Sequence, residues 1–298
     1  METKPVNNNQ LCLPTTYILL QVHELSDRPA EAWAALKAAG SRCEEVQCLP
    51  LHTPIFEDQV RFVCVSDTHN QMDTSVIPPG DVLLYGGDMT YSGKISEIRA
   101  FSNQLSSLPH SYKIVIAGNH ELTFDPLVSG QCAKSARLLA ENLRELEAAN
   151  VTDPRSLLTN CIYLEDSCVK VHGYKIYGTP WQPEHRGWAF GRKRGVALAE
   201  KWKQIPDDTD VLLSHAPPLG HGDRNRTGEL SGCVDLLVAV EQRIRPLFHV
   251  FGHIHEGYGC TTNGFTTFIN ASICDHLRKP RNLPIIFDLP LKNGLSKN

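Results

Sequence analysis

Five short apolar runs, each 4–6 residues long and each leading into residue types that ligate metals, constrain this chain more than any other feature. They are Arg61–Ser66, Asp81–Tyr85, Lys113–Ala117, Val211–Ser214 and Phe248–Gly252. All are rich in Val, Ile and Leu, as strands covered on both faces should be. Their ends read Ser66-Asp67-Thr68-His69, Gly86-Gly87-Asp88, Gly118-Asn119-His120-Glu121, Ser214-His215-Ala216 and Gly252-His253-Ile254-His255. Asp67 and His69 stand two apart, so an extended backbone would aim both side chains the same way. In an open α/β sheet, ligands bind beyond the carboxyl ends of the strands. The five tips are therefore expected to converge and offer seven donors: Asp67, His69, Asp88, Asn119, His215, His253 and His255.

Seven donors exceed the needs of one four-coordinate ion and suit two divalent ions that share a carboxylate. A mixture of Asp, Asn and His without Cys favours Mn, Fe, Zn or Mg. Two cations about 3.5–4 Å apart are what phosphoester hydrolysis exploits, clamping the attacking and leaving oxygens. The 13 His fit such a use, whereas the 10 Cys are scattered from Cys12 to Cys274 without a C-x-x-C pair. Thiols such as Cys64 and Cys161 sit in apolar runs, as in a reducing, cytoplasmic protein. With 29 Lys plus Arg against 33 Asp plus Glu, the formal charge is −4. That balance disfavours strong binding to nucleic acid or to an acidic membrane. No stretch approaches the roughly 20 apolar residues of a membrane span. Leu11–Val22 contains Pro14 and lacks a small-residue cleavage site, so it reads as a strand rather than a signal sequence.

The series Asp67-x-His69, Gly87-Asp88, Gly118-Asn119-His120-Glu121, His215 and Gly252-His253-x-His255 resembles the calcineurin-like metallophosphoesterase superfamily in order and spacing. The text from Arg61 to His69 and from Lys113 to Phe124 is similar to its branch of metallophosphoesterase domain-containing proteins. That branch is associated with class III cyclic-nucleotide phosphodiesterases. The resemblance implies a mixed α/β fold in which two sheets form a sandwich flanked by helices. It also implies that Asp67, His69 and His255 hold one ion, that Asn119, His215 and His253 hold the other, and that Asp88 bridges them. His120 would stand over the phosphate as general acid. The implied reaction is phosphodiester hydrolysis, with a small phosphodiester or nucleotide as substrate, by in-line attack of a metal-bound hydroxide.

Two alternatives share the scaffold. Protein phosphatases carry an Arg directly before Gly-Asn-His-Glu and an Asp-Arg-Gly after the second-strand Asp. Here Ala117 precedes Gly118, and Asp88 continues as Met89-Thr90-Tyr91-Ser92-Gly93. Without those arginines a dianionic monoester is expected to be the poorer substrate, unless Arg186 or Arg224 folds back to supply the charge. A non-catalytic scaffold would be expected to lose ligands, and none of the set is substituted. A serine hydrolase is disfavoured because no Gly-x-Ser-x-Gly elbow occurs.

Around the core the spacing predicts helices over Arg28–Ala39, started by Ser26 or Asp27, and over Ser92–Leu108 and Cys132–Ala149. A hairpin is expected at His172-Gly173, strands at Tyr17–Val22 and Ile285–Leu289, and a linker over Cys48–Asp58. Residues 1–58 read as an extension with a short strand and helix, and 59–298 as the metallophosphoesterase domain. Glu121 is expected to support structure rather than catalyse. The loop holding His185, Arg186 and two tryptophans reads as packing, and Arg192-Lys193-Arg194 as a solvated face.

Overall fold

All five apolar runs are strands in a computed structural model of the protein, which describes residues 22–128, 132–292 and 294–297. In chain order come helix α1 (Pro29–Ala38), strands β1 (Glu44–Glu45), β2 (Gln59–Val65) and β3 (Val82–Tyr85), helix α2 (Ile95–Ser106) and β4 (Tyr112–Val115). Helix α3 (Ala133–Ala148) leads to β5 (Ile162–Tyr163), β6 (Ser167–Val171) and β7 (Tyr174–Thr179). Then follow β8 (Gln182–Pro183), β9 (Gly191–Arg192), helix α4 (Val196–Trp202), β10 (Val211–Ser214) and helix α5 (Val234–Ala239). The chain continues through β11 (Phe248–Phe251), β12 (Gly259–Thr262), β13 (Thr267–Asn270) and β14 (Ile285–Pro290). The strand expected over Tyr17–Val22 falls, apart from Val22, outside the described residues.

The strands form two large sheets, ordered β14-β2-β3-β4-β5 and β1-β12-β13-β11-β10-β7-β6. Within them β2, β3, β4 and β5 run parallel, as do β7, β10, β11 and β13. Successive β2 residues divide between two cores. Val60, Phe62 and Cys64 meet Val211, Leu213, Val250 and Ile269 of the other sheet, while Val63 and Val65 belong with Ile98, Phe101 and Leu105 of α2. Apolar partners on both faces explain why the runs show no polar alternation. Each fully buried Leu or Phe here contributes about 1.5–3 kcal/mol. The result is the mixed α/β sandwich flanked by helices, with three of the five tips on one sheet and two on the other.

Local chemistry sets the ends of the elements. The β6–β7 hairpin turns at His172 (φ +47°) and Gly173 (φ +83°), pairing Val171 with Tyr174 as a two-residue turn should. Glu97 accepts from the backbone N–H groups of Ser92 and Lys94 (3.0 and 3.1 Å), so α2 starts three residues later than the pattern suggests. Neither Ser26 nor Asp27 caps α1. Its N-cap is Arg28 with Pro29 as first helical residue, and Ser26 Oγ instead lies 2.8 and 2.9 Å from the two Asp235 carboxylate oxygens. That bond joins the extension to α5, as β1 joins it to β12. Arg61, 2 % exposed, grips Asp288 with Nε and Nη2 (2.6 and 2.8 Å) and reaches the Thr53 and Pro54 carbonyls, pinning the linker.

Of the solvated face expected at Arg192-Lys193-Arg194, Lys193 is exposed, whereas the structure corrects the reading for the two arginines. Arg192 lies over the Trp181 ring (4.2 Å) and pairs with Asp125 (3.5 Å). Arg194 donates to the Ser231 and Gly232 carbonyls. The flat aromatic ring and the bare carbonyls suit guanidinium groups, which a charge count along the sequence does not register.

Candidate metal centre

The residues that leave the strand tips do so in tight left-handed turns. Asp67, His69, Asp88 and His253 have φ values of +54°, +43°, +54° and +68°. The extended backbone expected for Asp67-x-His69 is thus not what aligns them, since β2 ends at Val65. Such conformations cost about 1–2 kcal/mol each for residues with a Cβ and persist where the surroundings over-determine them. Cross-links supply that determination. Asp67 N donates to Gly87 O (3.0 Å), His69 N to Asp88 O (3.1 Å), and Gly252 N to His215 O (3.0 Å). A Cβ on Gly118 or Gly252 would collide with the Asp88 and Asp67 carboxylates respectively, so the loop backbone itself forms a wall of the site.

All seven expected donors meet there. Asp67, His69 and His255 form one cluster, and Asp88, His215 and His253 a second; His69, Asp88 and His120 overlap both, with the donor atoms of each cluster within 4.8 Å of one another. Asp88 Oδ2 faces His69 Nε2 at 3.8 Å, while Oδ1 faces His215 Nε2 at 3.5 Å. Asn119 Oδ1 lies 3.1 Å from His215 Nε2. The His69 and His255 Nε2 atoms face each other at 3.2 Å, and Asp67 Oδ1 lies 3.4 Å from His255 Nε2.

Three imidazoles are oriented through their far nitrogens. His215 Nδ1 donates to Gly86 O (2.8 Å), His255 Nδ1 to Asp275 O (2.8 Å) and His120 Nδ1 to Tyr91 O (2.6 Å). A carbonyl can only accept, so Nδ1 carries the proton and Nε2 is the atom turned toward the donor cluster. His120 also packs edge-on to His69 (4.5 Å) and against Trp188 (4.3 Å). The Trp188 loop is held by Ala189 N donating to Asn119 O (3.1 Å) and Phe190 N to Asp125 Oδ2 (2.8 Å).

Burial governs the protonation states. It pushes Asp88 well above the usual carboxylate range, aided by the charges of Asp67 and Glu121. Burial opposes ionisation of Asp67 too, but the His255 hydrogen bond and the nearby imidazoles hold its carboxyl well below that range. His255 is raised to about 9 against its own burial, because Asp67 bonds and faces it. Desolvation lowers His69 to about 3 and takes His120 and His253 well below the ordinary imidazole value. Two buried carboxyl groups and several inward-facing imidazole nitrogens, two of them 3.2 Å apart, fit divalent cations of the Mn, Fe, Zn or Mg kind, which would displace the proton that Asp67 holds on His255.

Glu121 accepts from the backbone N–H groups of Asp88 (3.0 Å), Thr90 (2.9 Å) and Gly118 (2.6 Å) and from Thr90 Oγ1 (2.8 Å). It braces two strand tips and presents no oxygen to the donor cluster. Partners of this kind are typically worth about 10–100-fold in metal affinity. Glu121→Ala is expected to weaken metal binding by about that factor; an affinity within twofold of the unaltered protein, by metal titration, would show the brace to be dispensable. Sequence reasoning missed Ser272, whose Oγ donates to Asp67 (3.0 Å), and Trp188. His185 and Arg186, read as loop packing, line the donor cavity, as does His276.

The family comparison agrees with this geometry. The model of the calcineurin-like phosphoesterase family matches residues 60–257, which span all seven donors. The chain belongs to that family. A UPF0046 protein of Caenorhabditis elegans is 46% identical over 287 residues, covering 94% of this chain and 98% of its own. Metallophosphoesterase domain-containing protein 1 of Homo sapiens is 45% identical over 279 residues, 92% of this chain and 86% of its own. Among the described residues, no helix is long and apolar enough to cross a membrane.

Proposed function

We propose that the protein is a dimetal phosphodiesterase, with cyclic nucleotides among its substrates. The observation that carries this reading is the position of Asp88, whose two oxygens face imidazoles of opposite clusters. On this reading Asp67, His69 and His255 hold one divalent ion, Asn119, His215 and His253 the other, and Asp88 is shared. Ions held there would supply Lewis-acid activation of water and neutralise developing negative charge. The backbone of Gly118 and Gly252 and the brace of Glu121 keep the donors in place, so that little reorganisation is needed during reaction. His120 would pass a proton from Nε2 to the departing alkoxide, while its Nδ1 stays bonded to Tyr91 O. An arriving phosphate anion favours the charged ring that this role needs. The catalytic apparatus falls within residues 59–298, and the extension of residues 1–58 braces it through α1 and β1.

Preference for diesters rests on the floor of the site. The position before Gly118, where protein phosphatases carry an Arg, is Ala117, fully buried in the core. Arg186 does line the cavity, but from its exposed mouth, so the floor itself offers Asp, Asn and His without a built-in guanidinium, which suits the single charge of a diester better than the double charge of a monoester. Bis-p-nitrophenyl phosphate is expected to be hydrolysed at least about tenfold faster than p-nitrophenyl phosphate at equal concentration, a gap of about 1.4 kcal/mol in the barrier. The reverse order would overturn the reading.

A further inference from the structure

Four cations crowd the mouth of the metal cavity without acidic partners. The cavity, about 380 Å³, is lined by Lys134, Arg186, Arg226 and Arg278 as well as the donors. Among the described residues, none of the four forms an ion pair, whereas Arg61, Arg155, Arg192 and Arg243 all do. Lys134 and Arg278 instead flank the Tyr91 ring at 5.5 and 4.9 Å. Apart from Asp88, the one carboxylate in this lining is Glu256. Two of the four residues, Arg186 and Arg278, adopt left-handed backbone with φ of +52° and +57°. Strain of this sort gathers at ligand clamps, and like charges held together without counter-ions oppose folding.

The excess is local. The chain as a whole has a charge of −4. The adjoining groove, about 1010 Å³, sets Arg28, Arg194 and Arg224 against Glu31, Glu184 and Glu229. There Arg28 pairs with Glu31 at 2.9 Å, and Arg194 is taken up by the Ser231 and Gly232 carbonyls. A polynucleotide would need cations that continue along the groove, and the groove is balanced. The demand for negative charge is confined to the cavity.

A charge count then defines the substrate. Two divalent ions among Asp67 and Asp88 would leave a net charge of about two, ample for a diester monoanion. The four rim cations are surplus to that. Three are arginines, whose planar forks match phosphate oxygens. Resting on the diesterase reading above, we propose that the rim binds a second phosphate, so that the preferred substrate is a small phosphodiester whose alcohol part carries a further phosphate group. Lys134, Arg186, Arg226 and Arg278 are then specificity-determining residues.

The test compares binding of thymidine 3′,5′-bisphosphate and thymidine 5′-monophosphate to the metal-loaded protein by calorimetry at physiological salt. The bisphosphate is expected to bind at least about tenfold tighter, since charge-assisted bonds to phosphate are the strong ones. In the triple variant Lys134→Gln, Arg186→Gln, Arg278→Gln the gap should fall below about threefold, whereas Arg224→Gln, in the balanced groove, should keep it. Melting curves check that each variant is folded. Equal affinities, a gap that survives the triple variant, or tighter binding of a short oligonucleotide than of the bisphosphate would overturn the proposal. Turnover of thymidine 5′-(p-nitrophenyl phosphate) is read separately: its absence beside an intact binding gap would count against the diesterase reading and leave the second-phosphate site standing.

Discussion

Asp88→Ala is expected to strip the protein of both metal ions and to lower diester hydrolysis by at least about 10²–10³-fold, the scale of losing one preorganised electrostatic contact. The other carboxylate, Asp67, belongs to one donor cluster only, whereas Asp88 belongs to two. His69→Ala, by contrast, should empty one position and leave Asp88, His215 and His253 holding an ion. The Asp88 backbone is tied independently by Glu121, so the truncation should not unfold the strand tip. Metal content per chain decides the matter. Occupancy near that of the unaltered protein would show that Asp88 is not shared between two ions.

His120→Ala is expected to split two substrates apart. General-acid assistance typically contributes about 10²–10⁴-fold, and it matters when the leaving oxygen is basic. A ribose alkoxide needs the proton; p-nitrophenolate, a far weaker base, leaves almost unaided. The variant should therefore lose about 10²-fold or more on a cyclic nucleotide and much less on bis-p-nitrophenyl phosphate, with metal content unchanged. Its ring stands beside His69 and Asp88 in a shared cluster, which makes the metal measurement essential. Lost metal would make His120 a ligand, and equal losses on both substrates would make it a group that positions phosphate or stabilises charge.

The parts of this molecule that were legible in its sequence are those where one residue does one thing. β2, β3, β4, β10 and β11 announce themselves because both faces are largely buried, so that the few polar residues they hold, such as Arg61, Lys113 and His249, set up no regular alternation. A ligand residue at the end of each run, preceded by glycine after β3, β4 and β11, then marks the tip. β12, which lies beside the short edge strand β1, and its neighbour β13 carry Cys, Thr and Asn as well as apolar residues, so no such pattern marks them. The turn geometry at Asp67 and His69 was not legible either, because left-handed φ at a non-glycine residue is imposed by neighbours distant in the chain. The rim was invisible for a different reason. Lys134, Arg186, Arg226 and Arg278 stand on separate segments with no common spacing, and only the folded cavity brings them together.

The central claim is that two ions held around Asp88 carry the reaction. It is tested most directly by stripping the protein with a chelator and restoring Mn²⁺ stepwise while bis-p-nitrophenyl phosphate turnover is followed. Activity should vanish on stripping and climb to a plateau at about two equivalents per chain, as a shared two-ion site requires. Turnover that survives stripping, or a plateau at one equivalent, would contradict the account.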